Sequence, residues 1–119
     1  MAGAAERGYR VDFITIHWYY LTDPDSFLGY IDMVHKLYRK PVWITEFANV
    51  DWDLPSSNTK KFTPKDVADF LKVVLPRLNT LDYVERYAWF TAPDAPYGTS
   101  SLFHKDGSLT DVGRVYAAY

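Results

Sequence analysis

Three apolar stretches of this chain end in residues that could do chemistry: His17-Trp18-Tyr19, Thr45-Glu46-Phe47 and Trp89-Phe90. Glu46 is the sharpest of them. It interrupts the apolar run VWITEF, where an ion costs free energy unless partners or function compensate. A carboxylate so placed can serve as a nucleophile or as a general acid or base. The plainer reading is a strand-end glutamate that points to solvent or pairs with an arginine. His17 and Tyr19 are two positions apart and share one face of a strand. From a neighbouring strand, either could hydrogen-bond Glu46 and orient it. Taken alone, His17 reads more readily as a satisfied core histidine. Trp89 could wall a sugar site, because aromatic rings pack on the flat C–H faces of sugars, or it could fill the core. Trp52, in a polar loop, is a candidate rim contact. Two-residue alternation puts Glu46 on the side of Val42 and Ile44, and Trp18 and Trp43 are expected to face helices.

Metal chemistry has little support. His17, His35 and His104 lack close ligand spacing. There is no cysteine, hence no thiolate site and no disulfide frame. The expectation is no metal and no cofactor.

The elements that must hold these residues can be read in order. Residues 11–19, VDFITIHWY, are β-branched and aromatic, and their continuous apolar character suits a strand buried on both faces. Asp23 and Pro24 then fit the cap and first turn of a helix, with Phe27, Ile31, Val34 and Tyr38 at helical spacing. Lys40-Pro41 breaks it, and residues 42–47 form a second short strand. A polar loop over 48–62 carries Asp51, Trp52 and Asp53. Thr63 and Pro64 open another helix, whose stripe is Val67, Phe70, Leu71, Val74 and Leu78. Pro76 lies near its end, where a missing N–H favours termination. Residues 83–90, YVERYAWF, are a third strand. Lys105-Asp106-Gly107 signals a hairpin turn, and Thr110 caps a terminal helix to about Tyr119.

Strands alternating with helices imply βαβ units and a parallel sheet. In such sheets chemistry collects beyond the C-terminal strand ends, where all three candidate groups lie. Three parallel strands leave two open edges. The strands therefore read as part of a larger fold, and self-association through those edges is expected.

Composition narrows the partners. Charged residues make up 24 % of the chain and the net charge is −2, with no basic patch of the kind nucleic acid needs. No apolar run approaches ~20 residues, so no membrane span is expected. Residues 1–10 have no apolar signal region and are expected to be a disordered leader. Aromatic residues, at 18 %, are in excess, and a sugar-lined groove is one use for them beyond a core.

The segments IHWY, KPVWITEFA, VERYAWF and SLF…KDGSLTDVG…VY, in that order, resemble the glycosyl hydrolase catalytic core of fungal and plant cell-wall proteins. This is the alkali-sensitive-linkage-protein type, family 128 of the glycoside hydrolases, in clan A. The resemblance runs over residues 11–119. It implies an α/β fold, a (β/α)8 TIM barrel of which this chain supplies strands six to eight with a C-terminal hairpin and helix. It implies a retaining β-glucan hydrolase, of β-1,3 linkages, in the extracellular space or cell wall. Glu46 falls on the family's nucleophile. His17 and Tyr19 match groups near it, and Trp89 matches a tryptophan lining the sugar site. The Asn-Glu-Pro motif that carries the family's acid/base glutamate does not occur in this sequence. Asp51, Asp53 and Asp94 match nothing in that role. The other reading, from a different class, is a non-catalytic carbohydrate-binding or wall-associated remnant.

Overall fold

The computed structural model describes residues 2–20, 22–49, 62–90 and 98–119. The described elements are, in order, helix α1 (Ala2–Glu6), strand β1 (Ile14–Tyr20), helix α2 (Pro24–Tyr38), strand β2 (Val42–Asn49), helix α3 (Pro64–Thr80), strand β3 (Val84–Trp89), a 3-10 turn (Gly98–Ser100) and helix α4 (Asp111–Ala117). The strands form one parallel sheet in the order β1-β2-β3. The architecture is α/β, as the alternation of strand and helix requires.

Local chemistry sets the helix limits. Asp23 caps α2 by accepting from the Asp25 amide at 3.2 Å, and Pro24 fills the first turn, where no N–H is needed. The helix ends at Arg39, which takes a left-handed conformation (φ 51°) and donates its N–H to the His35 carbonyl. Thr63 and Asp66 build a reciprocal capping box on α3, with bonds of 3.1 and 2.9 Å. Pro76 does not curtail that helix. Its ring removes one N–H donor, but Val74, Leu75 and Leu78 are buried around it, and their packing carries the helix on to Thr80.

The helices cover one face of the sheet. Phe27 and Ile31 of α2, Val67, Leu71, Val74 and Leu75 of α3, and Val42, Ile44 and Phe47 of β2 are all fully buried in one cluster. Phe27 stacks on Phe47 at 5.5 Å. Each such side chain stabilises the fold by roughly 1.5–3 kcal/mol of transfer energy. Trp18 packs against Phe27 and Tyr30 and so faces the helices as expected. Trp43 does not: it stacks on Phe13 at 3.9 Å, donates to Glu85 at 2.8 Å and lies under the Arg86 guanidinium. It belongs to the other, open face.

The expected turn is present. Phe103 and Leu109 form an antiparallel bridge, and Gly107 closes the turn at φ +87°, where a side chain would be strained. Thr110 caps α4 by accepting from the Gly113 amide at 2.9 Å. The leader expected to be disordered contains α1. Its sequence, AGAAE, is rich in alanine, the residue that loses least on entering a helix.

Candidate active site

The site is made in the C-terminal halves of β1 and β2. Backbone pairing runs regularly from Ile14–Val42 to Ile16–Ile44, then jumps to His17–Glu46. Thr45 is the extra residue of a β-bulge. The β2–β3 pairing slips over the same stretch, between Ile44 and Phe47. The burial sequence shows the consequence. Val42 and Ile44 are buried against the helices, Thr45 is exposed, Glu46 is half-buried, and Phe47 returns to the core. Simple alternation would have put Glu46 beside Val42 and Ile44 on the helix face. The bulge breaks the alternation and moves it to the open face, an established use of bulges near active sites.

On that face Glu46 meets two groups from β1. The Tyr19 hydroxyl donates to Glu46 Oε2. His17 Nδ1 lies 3.7 Å from the same oxygen, close enough for an ion pair when the imidazole is protonated. The His17 ring stands edge-on to Tyr19 at 6.2 Å, and Phe90 stands edge-on to Tyr19 from the far side at 5.7 Å. The side chains of Glu46 and His17 are 39 % and 52 % exposed, so a ligand can reach the carboxylate. Glu46, His17 and Tyr19 thus lie together on one face of the sheet.

Trp89 lies elsewhere, and of the two readings the sequence left open its contacts are those of the core. It is 7 % exposed, packs edge-on to Phe47 at 4.8 Å and near Phe70 of α3, and donates its indole N–H to the Ser100 carbonyl at 2.7 Å. Its ring fills the helix-side core and ties the 3-10 turn to the sheet. The reason is pairing register: Trp89 pairs with Phe47, which is already committed to the core. The aromatic that does approach the open-face cluster is its neighbour Phe90. Trp52, Asp51, Asp53 and Asp94 lie outside the described residues.

Among the described residues no group of three or more His, Asp or Glu could hold a metal ion, and no helix is long and apolar enough to cross a membrane. What the cluster can do is present an oriented carboxylate, held by a tyrosine hydroxyl, at the C-terminal end of a parallel strand. What the sequence reading missed is the bulge at Thr45. Its signal was present in the spacing of apolar anchors: Val42 to Ile44 is two positions, but Ile44 to Phe47 is three.

A parallel sheet carrying an oriented carboxylate is consistent with many α/β enzymes, and sequence comparison makes the class definite. The sequence model of the family described as "Glycosyl hydrolase catalytic core" matches residues 3–116. The chain belongs to that family. It is 34 % identical over 115 residues to alkali-sensitive linkage protein 1 of Schizosaccharomyces pombe, a match covering 90 % of this chain and 20 % of that protein. Among solved structures it is similar to a family-128, subgroup I endo-β-1,3-glucanase of Amycolatopsis mediterranei crystallised with laminaritriose and laminaribiose. That match has 35 % identity and a TM-score of 0.83, and covers 98 % of this chain and 48 % of the other. A subgroup II endo-β-1,3-glucanase of Sorangium cellulosum matches at 26 % identity and a TM-score of 0.81, over 98 % of this chain and 44 % of its own. The chain therefore spans about half the length of the glucanases it matches and a fifth of the linkage protein.

Proposed function

We propose that this chain forms the last three βα units, strands six to eight, of a (β/α)8 barrel that hydrolyses β-1,3-glucan with retention of configuration. The observation that carries the reading is Glu46 turned by a bulge to the open face and bonded there by Tyr19. The likeness to glucanases crystallised with laminari-oligosaccharides supports the substrate class. In this reading β1, β2 and β3 are the sixth, seventh and eighth strands, and the open face is the barrel interior.

The chemistry is a double displacement. Glu46 attacks the anomeric carbon, the glycosidic oxygen leaves as it is protonated, and water then cleaves the glycosyl-enzyme. Tyr19 holds the carboxylate in the attacking orientation, and His17 flanks it. Retention needs a second carboxyl group roughly 5–5.5 Å away across the scissile bond. That group is supplied by the part of the barrel this sequence does not contain, so the chain alone is expected to be inactive. The partner is β-glucan, with Trp52 as a rim contact, no cofactor is required, and the place of action is the cell wall or extracellular space.

Reducing-end release from laminarin tests the proposal, measured for the chain alone and for the chain completed to a full barrel. Only the completed protein is expected to turn over. Robust turnover by the chain alone, abolished by Glu46→Gln, would show that a carboxyl group within this sequence donates the proton.

A further inference from the structure

The bulge between β1 and β2 has a chemical anchor. Thr45 is its extra residue, and the Thr45 hydroxyl faces the Ile16 carbonyl oxygen across the strand pair at 3.5 Å, longer than a usual O–H···O bond and within reach of one after a small side-chain rotation. Ile16 is the last residue of β1 before the register slips. Ile44 and Phe47, both fully buried, pin β2 to the helix face on either side of the slip. Two residues, Thr45 and Glu46, must therefore fit between anchors that regular alternation would separate by one. Without the bulge, and with Ile44 held in the core, both Glu46 and Phe47 would sit on the wrong face: an ion among Phe27, Ile31 and Val67, and a phenyl ring in solvent. The apolar anchors demand the extra residue. They do not by themselves fix how the extra residue is accommodated, or where the Glu46 carboxyl group then points.

We propose that Thr45 is a positioning residue for Glu46, its hydroxyl fixing the bulge to the Ile16 carbonyl so that the Glu46 carboxylate meets Tyr19. The β-branched side chain is also stiff at χ1, which limits the directions the hydroxyl can take. Thr45 is exposed on the open face and takes no part in the core, so its removal need not unfold the sheet. The functional weight of the proposal rests on Glu46 being the reacting group, but the geometry can be tested without activity.

The test uses the 119-residue chain with Thr45→Val, which keeps the shape and loses the hydroxyl, and Thr45→Ser, which keeps the hydroxyl and loses the methyl. The readout is the NMR contact between the Tyr19 ring protons and the Glu46 side-chain methylene protons, alongside thermal melting. The expected result is loss of that contact in Thr45→Val, with the secondary structure and melting profile of the parent chain retained, and its recovery in Thr45→Ser. Should the valine variant fail to fold, Thr45→Ala is read in the same way. A folded variant without the hydroxyl that keeps the full Tyr19–Glu46 contact would overturn the proposal. That outcome leaves the nucleophile assignment standing, because it concerns only what holds Glu46. Failure of the nucleophile assignment would leave the contact and its dependence on Thr45 unchanged.

Discussion

Tyr19 and Glu46 are 27 residues apart in sequence and joined by a hydrogen bond from the phenol to Oε2, across the boundary between the first and second strands. This bond defines the orientation of the carboxylate. Removing it with Tyr19→Phe costs one charge-assisted hydrogen bond, worth about 1.5–3 kcal/mol. In the completed barrel, turnover is expected to fall roughly 10- to 100-fold, with folding preserved. Steady-state kinetics on laminarin checks this. Unchanged kcat would mean that the phenol does not orient the reacting group.

Trp89 gives the opposite expectation. It is a core residue, so Trp89→Ala should act on stability. A buried tryptophan truncated to alanine costs about 3–5 kcal/mol, and here the Ser100 carbonyl also loses its donor. Chemical denaturation should show the loss. A variant of full stability with weakened glucan binding would return Trp89 to the sugar site.

The contrast between these two residues shows what the sequence could and could not carry. The order of strands and helices, the caps at Asp23, Thr63 and Thr110, and the turn at Gly107 are local signals, and each element appears where its own residues specify it. Which way a strand residue faces is not local once a bulge intervenes. Alternation assigned Glu46 to the side of Val42 and Ile44, and the slip at Thr45 reversed it. Trp43 was misassigned for a related reason: it was set opposite a face shared by Val42, Ile44 and Glu46, and the bulge separates Glu46 from the other two, so that Trp43 falls on the open face with Phe13, Glu85 and Arg86. Trp89 followed the motif of its relatives, while its pairing with Phe47 placed it in the core.

Two tyrosines on the third strand and its approach make stability depend on alkaline pH. Burial raises the phenol of Tyr87 above its ordinary value of 10.0, as does its neighbour Tyr116, against a hydrogen bond to Asn79. Burial also raises Tyr83, with Asp32 adding to the effect and Lys36 opposing it. A folded state that holds protons more tightly than the unfolded chain has this stabilisation in full below pH 10.0. It loses it as pH rises through the folded values. Melting temperatures measured from neutral to strongly alkaline pH should fall above that point, and Tyr87→Phe should reduce the fall. An identical pH profile in Tyr87→Phe would contradict the assignment.

The sheet order leaves the first and third strands as edges, and the first carries neither Lys nor Pro to blunt pairing. Phe13 and Tyr20, flanking and ending that strand, are 37 % and 51 % exposed. The isolated chain is therefore expected to self-associate. Sedimentation velocity at low micromolar concentration should show species heavier than 13.8 kDa. A sharp monomer with cooperative melting would mean that the fold is self-sufficient without partners at its edges.

The central claim is that Glu46 forms a covalent bond to glucose, and covalent trapping tests it most directly. A laminaribiosyl donor with fluorine at C2 and an activated leaving group slows release of the glycosyl-enzyme more than its formation. Incubated with the completed barrel and digested for mass spectrometry, it should label the peptide containing Glu46, on that residue, and leave Glu46→Gln unlabelled. A label on any other carboxylate, or turnover with inversion at the anomeric carbon, would contradict the account.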